Sequence, residues 1–549
     1  MNDYELTLQV MLERATDLFS HKEIVSEELD GRTHRYTYAD ASDRMGQLAH
    51  ALDELGVSPE TRLSVMALNH HRHYELYFAL PCSGRSIHMT NHMLPDEHIV
   101  EIITEAEDEV VFVDPHLVDT VEAVADRLET VEQYVVLADE VPETSLEPIH
   151  AYEDLLEGKD ADYDWPAIDE NQEAGICYTS GTTGLPKGAA YSHRDLYLHT
   201  VTHSHVDVFA ISERDVVMPV VPMYHVNGWG LPYTATMCGS KLVLPGSKTG
   251  TKQIADLIDR ENVTVTAAVT TVWLEMADYY DTAGGTDADD EFNLESLDRV
   301  LIGGTSPPEW LMETFDKEID APIKQGYGMT EAAPHLVNTM TTTEVQELSE
   351  REQYQQQLKP GLPAPGCRIR LRDLNGDPVP HDGESTGEIQ ARAPWLIDEY
   401  YNRPAETDDS FTDDGWFKTG DVGVIDEFGY LEVVDRLDDV IKSGGEWISS
   451  VELENELTAH DGVDEATVLG VDHETWDERP IAYVVLGESI AEDALREHLR
   501  DRFPKWWLPD EFFVVESIPK TSTGKLDKKV LREGFAAEYG SLPIDGERR

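Results

Sequence analysis

The stretch Tyr178-Thr-Ser-Gly-Thr-Thr-Gly-Leu-Pro-Lys-Gly188 packs four Ser/Thr hydroxyls, three glycines and one lysine into eleven positions. That is the composition of a loop that grips phosphate. Glycines let backbone N–H groups approach an anion closely, hydroxyls donate further hydrogen bonds, and the lysine adds a point charge. The spacing differs from the Walker loop, in which Gly-x-x-x-x-Gly-Lys is followed directly by Ser or Thr; here Gly188 follows Lys187. Composition alone leaves a plain surface loop open as the alternative.

Working outward, further segments qualify that choice. They are Pro222-Met-Tyr-His-Val-Asn-Gly-Trp229, Leu301-Ile-Gly-Gly-Thr-Ser-Pro-Pro308, Gln325-Gly-Tyr-Gly-Met-Thr-Glu331, Lys418-Thr-Gly-Asp421, Asp435-Arg-Leu-Asp-Asp-Val-Ile-Lys-Ser-Gly-Gly-Glu-Trp-Ile-Ser449 and Pro519-Lys-Thr-Ser-Thr-Gly-Lys-Leu-Asp527. Singly, each has a bland reading. His225 alone reads as a core histidine in an apolar strand, Tyr327 to Glu331 as a strand end before a helix start, and Thr-Gly-Asp as a turn.

In this order across residues 178 to 527, the segments resemble the motifs of the adenylate-forming superfamily. Its acyl-CoA synthetases, luciferases and peptide-synthetase adenylation domains activate carboxylates with ATP. The resemblance implies that Thr179, Ser180, Gly181, Thr182, Thr183, Gly184 and Lys187 hold the ATP phosphates. It places Gly303, Gly304, Gln325, Gly326, Tyr327, Gly328 and Thr330 at the adenine, with the Gly-Tyr-Gly backbone lying against the base and Tyr327 stacking on it. Glu331 and Thr179 become oxygen ligands for a hard Mg²⁺ ion. Asp421 accepts from the ribose hydroxyls with Arg436 beside it, and Lys442 also serves the nucleotide. His225 flanks the carboxylate being activated, Lys525 is the catalytic lysine, and Asp438 is the hinge. Val226 and Trp229 are the acyl-site candidates, Trp229 as a gate or wall of the acyl tunnel with a core tryptophan as the alternative, and the resemblance implies that Gly444, Gly445 and Trp447 face the pantetheine arm of CoA.

The implied fold is α/β: a large multi-sheet amino-terminal adenylation and acyl-binding domain over residues 1–436, then a small mobile α+β lid over residues 437–549. The implied activity is an ATP-dependent, AMP-forming acid–thiol ligase with ATP and coenzyme A as co-substrates. Val440 to Glu454 and Lys505-Trp-Trp-Leu-Pro-Asp510 look most like the medium- and long-chain fatty acyl-CoA ligase branch. That branch also holds ligases for short methylthio-substituted acids. An aryl- or short-chain-acid ligase, or an adenylation domain donating to a carrier-protein thiol, therefore stays open.

Bulk properties agree with a soluble multidomain chain. At 549 residues it exceeds one ordinary core. Asp plus Glu number 109 against 42 Lys plus Arg, a net charge of −67 spread along the whole chain. Such self-repulsion opposes compaction in dilute buffer, but at ~1 M salt the Debye length falls to about 3 Å. A cytoplasmic, halophilic protein is expected, a homodimer being one assembly it permits. So acidic a surface argues against nucleic acid and anionic membranes as partners. No secretory leader is legible, and prolines interrupt the most apolar stretch, Val216 to Pro245, which reads as buried strand and loop without stable membrane insertion. Cys82, Cys177, Cys238 and Cys367 are widely spaced and read as reduced, buried residues.

Local patterning predicts a helix over residues 36 to 52 capped by Asp40 or Ser42, and strands at Arg62 to Leu68, Val110 to Val113 and Val263 to Val269. Past residue 385 shorter strands follow, with a hairpin turn at Glu427-Phe-Gly-Tyr430. Thr282 to Asp290 reads as an exposed acidic loop. In so acidic a chain, Lys520, Lys525, Lys528, Lys529 and Arg532 form a conspicuous basic cluster. An anionic ligand is the expectation there, with neutralisation of an acidic neighbour as the alternative for Lys528 and Lys529.

Overall fold

A computed structural model describes residues 4–179, 185–280, 293–443, 446–460, 462–473, 475–487, 490–500, 502–520 and 526–539. The chain divides into two compact units. One joins the amino-terminal region through Thr179 to Pro186–Arg368 and Arg392–Ser410; the other joins Ile369–Ala391 to the chain from Phe411. The 436/437 junction falls inside the second unit.

Two large sheets build the first unit. In the seven-stranded sheet, strands Ile149–Ala151, Gln133–Val136, Val110–Val113, Arg62–Met66, Ser86–Met89 and Glu173–Tyr178 run parallel in that spatial order, and Gly188–Ser192 adds antiparallel at the edge. Parallel strands covered on both faces are apolar without alternation; Val110–Val113 is buried at every position. The nine-stranded sheet has a parallel centre of Ile323–Gly328, Arg299–Gly303, Val265–Val269, Val216–Pro219, Lys241–Leu244 and Glu23–Glu27, with antiparallel strands at both margins. Val243, Met218, Val300 and Ile302 pack there with Trp273, Leu311 and Phe315 from the covering helices.

The helix predicted over 36 to 52 spans Tyr38–Glu54, but neither Asp40 nor Ser42 is its cap. Thr37 is. Its hydroxyl accepts from the Asp40 N–H at 3.3 Å while Asp40 accepts from the Thr37 N–H at 2.9 Å, a reciprocal box that satisfies two end donors. Val216 to Pro245 also differs from expectation. Between its strands lies the helix Leu231–Cys238, with Pro232 at the helix start, where its missing N–H costs nothing. Cys82, Cys177 and Cys367 are buried and Cys238 only partly so; all four are free thiols. The acidic loop Thr282 to Asp290 lies outside the described residues.

In the second unit, Arg368–Arg372, Gly387–Arg392, Phe417–Ile425 and Leu431–Arg436 make a four-stranded sheet. The turn at 426–430 closes as predicted, the Asp426 N–H donating to the Tyr430 carbonyl at 3.1 Å. A second sheet pairs Glu446–Ile448, Ile441–Ser443, Asp477–Leu486, Val463–His473 and Phe512–Val514, with helices Ser450–Thr458 and Glu492–Arg500 packed on its apolar face. No described helix is long and apolar enough to cross a membrane.

Candidate active site

The motifs of the first unit converge on one kind of place, the carboxyl ends of parallel strands. Thr179 follows Glu173–Tyr178, His225 follows Val216–Pro219, Gly303 and Gly304 end Arg299–Gly303, and Glu331 follows Ile323–Gly328. Open α/β sheets bind ligands at such ends.

The phosphate-loop candidate is anchored at its base. The Thr179 N–H donates to the Lys187 carbonyl at 2.9 Å, and the Lys187 N–H donates to the Thr179 hydroxyl at 3.2 Å. Thr179 and Lys187 are thus brought together. Ser180, Gly181, Thr182, Thr183 and Gly184 lie outside the described residues, as do Gly444, Gly445 and Lys525.

Glu331 is buried and accepts a hydrogen bond from the Tyr400 hydroxyl at 2.5 Å. Burial and that neighbouring carboxylate hold the Tyr400 phenol protonated, far above its ordinary range. The Lys187 ammonium lies 4.9 Å from the centroid of the same ring, within cation–π range. Backbone pairing fixes this contact: Tyr400 bridges Ala189, and the Tyr401 N–H donates to the Gly188 carbonyl at 2.9 Å. Sequence reasoning passed over Tyr400 because a tyrosine beside another tyrosine carries no charge or spacing signal.

The adenine segments are neighbours in register. Ile302 pairs with Gln325 and Gly303 with Gly326. Gln325 donates to the Ser306 hydroxyl at 3.0 Å, and Tyr191 donates to the Thr330 carbonyl at 2.6 Å. Gly328 has a local reason besides room for a base: a Cβ there would meet the Pro334 carbonyl oxygen at 2.0 Å, which no side chain tolerates. Tyr327 is half-buried beside it.

After His225 the backbone makes an unusual turn. Val226, Asn227, Gly228, Trp229 and Gly230 all have φ between 42° and 73°, a left-handed run that costs non-glycine residues energy and is found at functional sites. The Val226 N–H donates to the Cys177 thiol at 3.4 Å. Burial pushes that thiol up to about 12, so it serves as a neutral packing group. The turn lays Trp229 against Gly303, where a Cβ would come within 3.1 Å of the indole Cη2.

In the second unit, Asp421 and Arg436 pair at 2.9 Å. Asp438 exposes its side chain, while its carbonyl accepts from Arg532 at 2.8 Å. Lys442 and Trp447 are opposed across a short hairpin. The basic cluster is largely consumed by carboxylates: Lys528 pairs with Glu454 at 2.8 Å, Lys520 with Glu465 at 2.8 Å and Arg532 with Asp439 at 2.7 Å. For Lys528, which is buried, neutralisation is the reading that stands.

Comparison with known proteins places this geometry. Residues 12–401 match the model of the AMP-binding enzyme family, and residues 452–525 match that of the AMP-binding enzyme C-terminal domain. The chain is 45% identical to a long-chain-fatty-acid–CoA ligase of Thermus thermophilus, covering 98% of this chain and 97% of that one. It is 37% identical to a 3-methylmercaptopropionyl-CoA ligase of Ruegeria lacuscaerulensis, covering 96% and 97%. A medium-chain-fatty-acid–CoA ligase of Ectopseudomonas oleovorans is 35% identical, with 98% and 97% covered. An anthranilate CoA ligase crystallised with anthranoyl-AMP shares the fold, with a TM-score of 0.82 at 22% identity over 98% of this chain and 100% of that one.

Proposed function

The chain belongs to the AMP-binding enzyme family and is an AMP-forming acid–thiol ligase, and from that premise we propose that it converts a medium- or long-chain fatty acid to its CoA thioester. The observation that carries the choice of acid is the 45% identity to a long-chain ligase along nearly the whole chain. The likeness to methylmercaptopropionyl ligases keeps a short thioether acid as the second reading.

A carboxylate resists attack because its negative charge repels nucleophiles and its leaving group is oxide. In the proposed first step a carboxylate oxygen attacks the α-phosphorus of ATP, the bond to the β-phosphate breaks, and pyrophosphate leaves. Lys187 and the Thr179 hydroxyl hold the departing phosphates, and Lys525 neutralises charge on the acid and α-phosphate. In the second step the CoA thiolate attacks the acyl carbon, AMP departs with the bonding pair, and the thiol proton passes to solvent.

A magnesium ion suits the donors present. Glu331 offers a carboxylate and Thr179 a hydroxyl, both hard oxygens, and among the described residues no cluster of three His, Cys, Asp or Glu could cage a metal. Mg²⁺ binds through one or two protein oxygens plus substrate phosphates and water. When bound it neutralises charge on the phosphates. In the proposal the carboxyl-terminal segment beyond 436 turns about Asp438 between the two steps, bringing Trp447, with Gly444 and Gly445, to the thiol in place of Lys525.

The deciding assay measures AMP release dependent on ATP and CoA over acids from two to eighteen carbons, with 3-methylthiopropionate included, at about 2 M KCl to screen the surface. Release peaking with medium or long acids supports the fatty-acid reading. A maximum at the thioether acid selects the second.

A further inference from the structure

Asn69 stands three residues beyond the strand Arg62–Met66 of the seven-stranded sheet, and its side chain serves the nine-stranded one. Its amide Nδ2 donates to the Pro219 carbonyl at 2.9 Å and the Val221 carbonyl at 2.8 Å, while its Oδ1 accepts from the Met223 N–H at 2.7 Å. These groups belong to the segment that leads from the strand Val216–Pro219 to His225. A flipped amide would set its oxygen against two carbonyls, so only this orientation satisfies all three. Asn69 is 5% exposed, and solvent offers these groups little replacement. The residue is itself held. Its carbonyl accepts from the Gly246 N–H at 2.8 Å, and the Asp114 carboxylate takes both neighbours, accepting from the Leu68 N–H at 2.9 Å and lying 2.7 Å from His70 Nε2. Tyr77, on the helix His71–Cys82, adds a hydroxyl that donates to the Met223 carbonyl.

We infer, resting on the acid-site reading of His225 above, that Asn69 is a positioning residue for adenylation, seating the segment that bears His225 and Trp229 against the seven-stranded sheet. The acid and the phosphates are held from different sheets. Thr179, at the base of the phosphate loop, follows the strand Glu173–Tyr178 of the seven-stranded sheet, whereas His225 follows a strand of the nine-stranded sheet. A carboxylate placed by one must meet an α-phosphorus placed by the other, and a misplacement of ~1 Å costs about hundredfold in rate. A short carboxamide supplies the two donors and one acceptor that join them. Alanine would leave two carbonyls and one N–H without this partner. Aspartate would keep the acceptor for Met223 and turn an oxygen toward the two carbonyls.

The test is acid-dependent pyrophosphate release by the full chain at about 2 M KCl, with the preferred acid of the panel above, alongside calorimetric binding of ATP without acid. His225→Ala is measured first, and unchanged release there overturns the acid-site reading of His225 and the inference with it. With His225→Ala impaired, Asn69→Ala is expected to lower the rate of release roughly hundredfold while ATP affinity stays within about twofold. The double variant Asn69→Ala, His225→Ala should lose much less than the product of the two single losses, because both act on one placement. Losses that multiply, a fall in ATP affinity that matches the fall in rate, or wild-type release in Asn69→Ala would each overturn Asn69 as a positioning residue and leave the reading of His225 standing. A thermal melt of each variant confirms folding. Asn69→Asp, which preserves the shape and one of the three bonds, keeps the test open should the alanine variant not fold, and is held to the same split between rate and affinity.

Discussion

Arg436 and Asp421 are register partners on adjacent antiparallel strands, and the Arg436 Nε lies 2.9 Å from an Asp421 oxygen. The aspartate side chain is 7% exposed and the arginine side chain 53%. The buried partner is therefore held by one that reaches solvent. If Asp421 accepts from both ribose hydroxyls, Asp421→Asn should weaken ATP binding roughly tenfold or more, as expected when hydrogen bonds to a charged acceptor are lost. The loss should disappear when 2′,3′-dideoxy-ATP replaces ATP in the same calorimetric titration. An equal loss with both nucleotides would make Asp421 a structural residue.

Trp229 and Gly303 form the contact that should decide acyl length. The indole is carried on a left-handed turn and rests where any side chain at 303 would begin. Trp229→Ala is expected to change relative rates across a panel of short to long acids while leaving ATP affinity within about twofold. Gly303→Ala pushes on the same ring from below and should also alter that profile. Unchanged relative rates in both variants would remove the indole from the acyl path.

How far the sequence was legible follows a physical line. The family motifs, from the glycine-rich loop after Tyr178 to the Gly303 and Gly326 strand ends and Asp421, stand out in the sequence because each holds particular residue types at fixed short spacings. Tyr400 does not, because its place beside Glu331 depends on a pairing with Ala189 across more than two hundred residues. The left-handed turn was equally silent, since Val226 and Trp229 are residues for which sequence statistics forbid that backbone. Asn227, within the turn, is fully buried with neither amide atom hydrogen-bonded to a described residue, a cost no local pattern announces. The carboxylate partners of the basic cluster were equally hidden. Glu454, Glu465 and Asp439 lie far from their lysine and arginine partners in sequence.

If Lys525 serves adenylation alone, as proposed, its removal should separate the two half-reactions. Lys525→Ala should nearly abolish acid-dependent pyrophosphate release yet preserve thioester formation from supplied acyl-adenylate. Equal loss in both steps would contradict the proposed turn about Asp438.

Net charge predicts a response to salt. With −67 charges and a Debye length falling from about 10 Å at 0.1 M to about 3 Å at 1 M, the urea midpoint of unfolding should rise steadily with KCl. The bonded network of Arg72 with Glu28, Asp139 and Glu153 contributes little to that slope, because its pairs are held at 2.6 to 3.1 Å. A flat midpoint between 0.1 and about 2 M KCl would refute dominance of long-range repulsion.

The last prediction concerns pH and a group of buried imidazoles. His199 and His203 have ring centroids 4.2 Å apart, His203 and His335 5.3 Å, and the His335 N–H donates to His199 Nε2 at 3.3 Å. Nε2 must therefore be unprotonated. Burial, reinforced by the neighbouring imidazoles, holds His199 and His203 well below the ordinary histidine range, and burial lowers His335 to about 4. Protons then bind the unfolded chain and not the folded one as pH falls below about 6.5, so stability rises with pH across this window and is lost on acidification. Each such proton is worth about 1.4 kcal/mol per pH unit. Carboxylates lowered by their partners act later: Glu28, Glu153 and Glu261, each near 2, lose their contribution only as pH falls below the usual carboxylate value of 4.5. Unfolding free energies measured between pH 7.5 and 5 should therefore report the histidines before the carboxylates. Replacing His203 with Phe, which fits beside Phe209 at the same aromatic contact, should flatten that part of the curve. An unchanged slope would mean that the imidazoles stay neutral in both states or charge in both.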